Sequence, residues 1–141
     1  MPIMFDTSVY IHALRIGGDS TLLLLRWAKE TPLWLSSVVL EELYAGVNPT
    51  GRKILDRLER DFVKANRVLV PNLTDWSSAG KVLAAIAHAH GYEKIGRARL
   101  TNDALIAMSA ARTGVKVITA NARDFAMLAQ FCRLDWETRL M

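Results

Sequence analysis

The sequence predicts an α/β fold with a central parallel sheet of four to five strands. Two observations carry this. Short apolar runs alternate with longer amphipathic segments, as in a sheet crossed by helices, and the apolar runs are bounded by helix starts and glycine or proline stops. At 141 residues the chain has the usual length for one domain, enough to bury about two-thirds of the surface its unfolded form exposes. One domain over 1–141 is therefore expected.

The elements follow in order. Strands are expected near Ile3–Phe5, Leu33–Leu35, Arg67–Val70 and Lys116–Thr119, with a weaker edge strand at Phe131–Leu134. Thr7 to Leu14 is read as a first helix ended by Gly17 and Gly18, and Ser20 to Lys29 as a second closed by Pro32. Ser37 opens a third helix that runs to Ala45 and stops at Gly46. From Arg52 to Lys64, helical spacing puts Ile54, Leu55, Leu58 and Phe62 on one face. Arg52, Lys53, Arg57, Arg60 and Lys64 take the rest, so that helix presents a basic outer side. Trp76 to His90 is long and alanine-rich, with Val82, Leu83, Ile86 and Ala87 inward by spacing, Thr74 or Asp75 as cap and Gly91 as stop. Gly91 to Leu100 reads as a two-glycine loop with three positive charges just before Asp103.

Composition narrows the function classes. The chain is 51% hydrophobic and 23% charged, which suits a packed globular domain and excludes a disordered one. The leucine run Leu22 to Leu25 is closed by Arg26 and Lys29, far short of the ~20 residues of a membrane span. No secretion signal is read at the N-terminus, and the single Cys132 excludes an intrachain disulfide. A cytoplasmic location without membrane association is the expectation. The net charge is +4, and twelve of the eighteen basic residues are Arg, the better side chain for phosphate forks. That leans toward a polyanionic partner.

Four acids stand at the ends of apolar runs: Asp6 after Phe5, Glu42 in the third helix, Asp103 after Leu100, and Asp124 after Asn121. Desolvating a carboxylate costs several kcal/mol unless something compensates it, so acids gathered in one place ask for a cation. Magnesium is the natural answer, because it takes oxygen ligands and shares its sites with phosphates. Ligands of parallel sheets collect beyond the carboxyl ends of the strands, where Asp6 and Asn121 fall.

Each acid also fits an ordinary role. Asp6 and Asp103 suit N-caps, Asn121 with Asp124 resembles a capping box, and Glu41 and Glu42 suit a solvated helix face. Periodicity does not separate Glu41 from Glu42, since both lie off the Leu40–Leu43–Val47 stripe. Other chemistries fit less well. Cys132 has no nearby His to activate it, and His12, His88 and His90 are too scattered for zinc. No Gly-x4-Gly-Lys loop is present, and Ser8 stands where an aspartyl-phosphate phosphatase needs a second acid.

Four segments resemble one family in order and spacing: Ile3 to Ser8, Ser36 to Gly46, Leu100 to Ala107 and Val117 to Phe125. Together they are similar to the PIN domain, and within it to VapC-type toxins of bacterial toxin–antitoxin pairs. The resemblance implies a three-layer α/β/α domain and a Mg²⁺- or Mn²⁺-dependent endoribonuclease. It aligns the helix acid with Glu42, the first acid with Asp6 and the third with Asp103. For the fourth position it implies Asp124, with Asn121 as a further ligand. Thr7, Ser8 and Thr119 match polar positions that support the site and border substrate, and Arg97 and Arg99 are candidates for gripping the RNA backbone. A VapB-like antitoxin and a homodimer are the implied partners. Two other readings remain: a PIN nuclease for RNA maturation or flap cleavage, and a non-catalytic module that binds RNA or protein.

Overall fold

The computed structural model describes residues 1–16, 31–91, 93 and 98–139. Its centre is a parallel sheet with strands β1 (Ile3–Phe5), β2 (Leu33–Ser36), β3 (Val68–Leu69), β4 (Lys116–Thr119) and β5 (Trp136–Thr138), in the order β3-β2-β1-β4-β5. Strand β1 lies in the middle because it is apolar throughout, and all three of its residues are buried. Ile3 pairs with Leu33 on one side and Lys116 on the other, which levels the ends of the central strands.

Six helices are described: α1 (Thr7–Ile16), α2 (Ser37–Gly46), α3 (Pro49–Lys64), α4 (Leu73–His90), α5 (Ala98–Thr113) and α6 (Ala122–Leu128). Right-handed crossovers put helices that follow opposite steps across the sheet on opposite faces. Accordingly α1 packs on α2 and α2 on α3, while α4, α5 and α6 pack on one another. The core between the layers holds Met4, Phe5, Leu35, Ile106, Ile118 and Phe125, among others. The layered, parallel α/β architecture expected from the sequence is the one observed, with five strands.

The starts of two helices differ from expectation, and each difference is a capping matter. Helix α3 begins at Pro49 rather than Arg52, because Asn48 caps it by accepting from the Gly51 amide at 2.8 Å and Pro49 is suited to the first turn. Helix α4 begins at Leu73 rather than Trp76. Its cap is Asn72, and Asp75 is the reciprocal member of the capping box: Asp75 N donates to Asn72 and Asn72 N donates to Asp75. Gly91 ends α4 with φ 99°, a conformation glycine adopts without strain.

The edge strand lies at Trp136–Thr138 and not at Phe131–Leu134. After α6 the chain keeps turning, with the amides of Ala129, Gln130 and Phe131 donating to Phe125, Met127 and Leu128 carbonyls. The apolar side chains of Phe131, Cys132 and Leu134 pack against the core from that turn, so their hydrophobicity reports packing without pairing. Ile54, placed inward by spacing, is 52% exposed, while Leu55 beside it is buried. The expected helix from Ser20 to Lys29, the Gly17–Gly18 stop of the first helix and residues 92 and 94–97 of the expected Gly91–Leu100 loop lie outside the described residues, while Ala98 to Leu100 belong to α5 and not to a loop. No helix among the described residues is long and apolar enough to cross a membrane.

Candidate active site

The strand order reverses at β1: β2 and β3 lie to one side of it, β4 and β5 to the other. Such a switch point leaves a crevice at the carboxyl ends of the two diverging strands. Asp6 follows β1 directly and Asn121 stands two residues beyond β4, so both border that crevice.

Asp6 is buried, with 3% of its surface exposed. Ser8 Oγ donates to its Oδ1 at 2.5 Å, Val9 N donates to Oδ1 at 3.3 Å, and Thr119 Oγ1 donates to Oδ2 at 2.6 Å. The two hydroxyls are braced from behind. Ala120 N donates to Ser8 Oγ at 3.1 Å, and Asn121 N donates to Thr119 Oγ1 at 2.8 Å, which leaves each hydroxyl proton for an acceptor; for Thr119 the carboxylate at 2.6 Å is nearer than the Asn121 carbonyl at 3.2 Å. Burial raises the Asp6 pKa above its ordinary value, against the pull of these donors, which favour the anion. The Val9 bond also makes Asp6 a cap for α1, so the capping role and the crevice position coincide in one residue.

Glu42 and Glu41 are separated by the structure. Thr7 Oγ1 donates to Glu42 Oε1 at 2.8 Å, tying the start of α1 to α2, whereas Glu41 is exposed. Asp103 is buried inside α5, well past its first residue, so it is not an N-cap. Helix α5 packs on α2 and on β4, the elements that carry Glu42 and Thr119. Asn121 is the N-cap residue of α6, but its side chain makes no capping bond; its Nδ2 donates to Asp124 Oδ2 at 3.3 Å. Thr7, Ser8 and Thr119 are thus engaged with the acids themselves. Arg97 lies outside the described residues, as does the side chain of Arg99, whose backbone belongs to α5.

Among the described residues, no three His, Cys, Asp or Glu side chains converge as a ready metal cluster. The side chains of Asp6, Glu42, Asn121 and Asp124 and the hydroxyls bonded to the first two are carboxylate, amide and hydroxyl groups, the oxygen chemistry that suits a hard cation. A desolvated carboxylate held by neutral donors fits such an ion. Cys132 does not compete for a chemical role, since burial pushes its thiol up and keeps it protonated.

Sequence reasoning named Asp6, Ser8 and Thr119 but not the amides of Ala120 and Asn121 that brace the hydroxyls. The available signal was weak: Ser8 two residues after Asp6 and Thr119 closing an apolar strand.

The sequence profile of the PIN domain matches residues 3–130. The chain belongs to the PIN-domain family. Three solved structures share the fold of this PIN domain. VapBC2 from Rickettsia felis bound to a promoter DNA fragment is 21% identical, with a TM-score of 0.68 over 99% of this chain and 100% of that one. VapBC from Salmonella typhimurium bound to DNA is 20% identical, with a TM-score of 0.69 over 98% of each chain. VapBC-1 from nontypeable Haemophilus influenzae is 23% identical, with a TM-score of 0.64 over 98% of each. No curated protein sequence matches the chain. PIN domains are nucleases as a family, which assigns this one to phosphodiester hydrolysis in its coarse class.

Proposed function

We propose that this PIN domain is a metal-dependent endoribonuclease acting as the toxin of a toxin–antitoxin pair. The single observation that carries the reading is Asp6. It is a buried carboxylate at the topological switch point, faced by neutral donors and, among the described residues, by no cationic side chain. Asp6, Glu42, Asp103 and Asp124, with Asn121, would hold one or two Mg²⁺ or Mn²⁺ ions. When bound, such an ion supplies Lewis acidity and a water acidic enough to attack phosphorus near neutral pH.

The protein's own part is positional. Ser8 and Thr119 keep Asp6 oriented and Thr7 keeps Glu42, so these three polar residues border the substrate through the carboxylates they hold. Arg97 and Arg99 would neutralise phosphates on the approach. The neighbours solved as VapBC pairs support a VapB-like antitoxin as partner. A homodimer, a single domain spanning 1–141 and a cytoplasmic location complete the proposal.

The test incubates purified protein with RNA, with and without Mg²⁺ or Mn²⁺, beside Asp6→Asn and Asp103→Asn variants. Cleavage that requires the metal and disappears in both variants is expected. RNA left intact by the metal-loaded parent, or cleavage persisting in both variants, rules the reading out.

A further inference from the structure

Helix α3 is heavily charged, and its charges are sorted by side. Leu55, Leu58 and Phe62 face the core. At about 100° per residue, Lys53, Arg57, Arg60 and Lys64 fall within roughly a 60° arc opposite that apolar face, in a stripe about 16 Å long. All four are exposed, and none makes an ion pair among the described residues.

Of the two acids at helical spacing from them, Asp56, three from Lys53 and four from Arg60, is drawn aside together with Glu59. Tyr44 of α2 has its hydroxyl oxygen 2.8 Å from Asp56 Oδ1 and 2.8 Å from Glu59 Oε1, its one proton serving the two in turn. Those acids and Arg52 line a cavity of about 630 Å³ on one flank of α3. Asp61 remains beside the stripe, at helical spacing from Arg57 and Lys64 but without an ion pair among the described residues, which leaves four positive charges against one negative. On the other flank, Thr50, Gly51 and Ile54 of α3 face Ile11, Leu14 and Glu42 across a second cavity of about 620 Å³. The stripe therefore runs beside a cleft that leads to Glu42.

Like charges three and four residues apart on one helix face repel, and each such pair weakens the helix by a few tenths of a kcal/mol. A polyanion laid along them reverses that sign. We propose that Lys53, Arg57, Arg60 and Lys64 form a sequence-independent track for the phosphate backbone of single-stranded RNA, delivering it to the cleft at Glu42. The identity of the polyanion rests on the ribonuclease reading, while the track itself rests on the sorting of charge.

The experiment follows binding of a labelled uridine oligomer by fluorescence anisotropy in EDTA, where no metal-dependent cleavage occurs, between about 50 and about 200 mM KCl. Single strands give a slope of about 0.7 per neutralised phosphate in log affinity against log salt. The variant Lys53→Gln/Arg57→Gln/Arg60→Gln/Lys64→Gln is expected to lower the slope by nearly 3, so the parent loses ~50-fold more affinity over that range. Arg57→Gln/Arg60→Gln takes about half of that slope. Gln matches Lys and Arg in helix propensity, and circular dichroism verifies the fold. Lys81→Gln/Arg133→Gln, which removes exposed cations elsewhere, should leave the slope as it is.

A slope unchanged in the fourfold variant, or lowered equally by Lys81→Gln/Arg133→Gln, overturns the track. So does a stripe variant that keeps RNA binding but loses binding to phosphatidylglycerol vesicles. Metal-dependent cleavage is read separately. An inactive protein that shows the slope change keeps the track and loses the nuclease, and an active one with no slope change does the reverse.

Discussion

Two aspartates of this protein are almost equally buried and are answered in opposite ways. Asp75, 2% exposed, sits on the seam between α4 and α5. Arg112 of α5 forks onto it, with Nε 2.9 and 3.0 Å from the two oxygens and Nη2 2.9 Å from Oδ2, and Asn72 N adds a fourth bond. Asp6, 3% exposed at the sheet's carboxyl edge, receives two hydroxyls and an amide, all neutral. The first carboxylate is electrically complete and holds two helices together. The second keeps its negative charge uncompensated by side chains among the described residues, which is the condition for recruiting a cation from solution.

The contrast is broken or sharpened by crossing stability with activity. Asp6→Asn is expected to lower metal-dependent RNA cleavage on the order of 10³-fold, beyond the 10–100-fold typical of residues that only support a metal ligand. Arg112→Met should do the opposite: cleavage per folded molecule stays at the parent level, while urea denaturation shows a loss of about 2 kcal/mol or more. That lies below the 3–5 kcal/mol of a fully buried pair, because the Arg112 side chain is 37% exposed. Equal activity losses in the two variants would erase the distinction between the aspartates.

A smaller effect is expected where the Asp6 carboxylate is merely oriented. Ser8→Ala and Thr119→Val should each weaken Mn²⁺ binding, measured calorimetrically, by ~10- to 100-fold. Undiminished affinity in both would mean that the hydroxyls serve the fold alone.

The pH dependence has a definite sign. Burial raises the Asp6 pKa from 3.8, so the folded state holds the carboxyl proton more tightly than the unfolded chain does. The stabilisation from holding that proton is complete below the unfolded value and is lost as pH rises through the raised folded value. In EDTA, thermal denaturation of the parent should therefore show stability falling, relative to Asp6→Asn, as pH climbs above 3.8. Saturating Mg²⁺ should flatten that difference, and a difference that ignores pH without metal would remove the desolvation argument.

The smallest change concerns Tyr10, whose hydroxyl is buried with no hydrogen-bond partner among the described residues. Tyr10→Phe keeps the edge-on contact with Phe5, at 5.7 Å between ring centres, and removes the orphaned group. A gain of up to about 1 kcal/mol by chemical denaturation is expected. A loss would show that the hydroxyl is satisfied after all.

Much of this was legible from residue order because the relevant signals are local. The apolar run Ile3–Phe5 followed by Asp6 announces a central strand and the group at its end. Val82 and Ile86 are buried as their helical spacing requires. Glu42 was not legible from periodicity; the family pattern chose it over Glu41, and its bond from Thr7, thirty-five residues away, is a long-range contact that helical spacing does not encode. The last strand was misplaced because apolar content at Phe131–Leu134 outweighed the weaker alternation around Trp136. There the strand is held by pairing with β4 and by Lys116 lying 4.0 and 3.9 Å from Asp135 and Glu137. The Asp75–Arg112 fork joins residues thirty-seven apart on two helices, and no one-dimensional pattern brings their faces together.

The amides behind Ser8 and Thr119 have a further consequence for anyone altering position 6. A carboxamide there must aim one N–H at a hydroxyl that now donates, so Thr119 has to turn its proton to the Asn121 carbonyl, 3.2 Å away, before it can accept. The cradle thus penalises the near-isosteric amide on hydrogen polarity as well as on charge. An Asp6→Ala comparison, which empties the cradle instead of crossing its wiring, separates the two penalties.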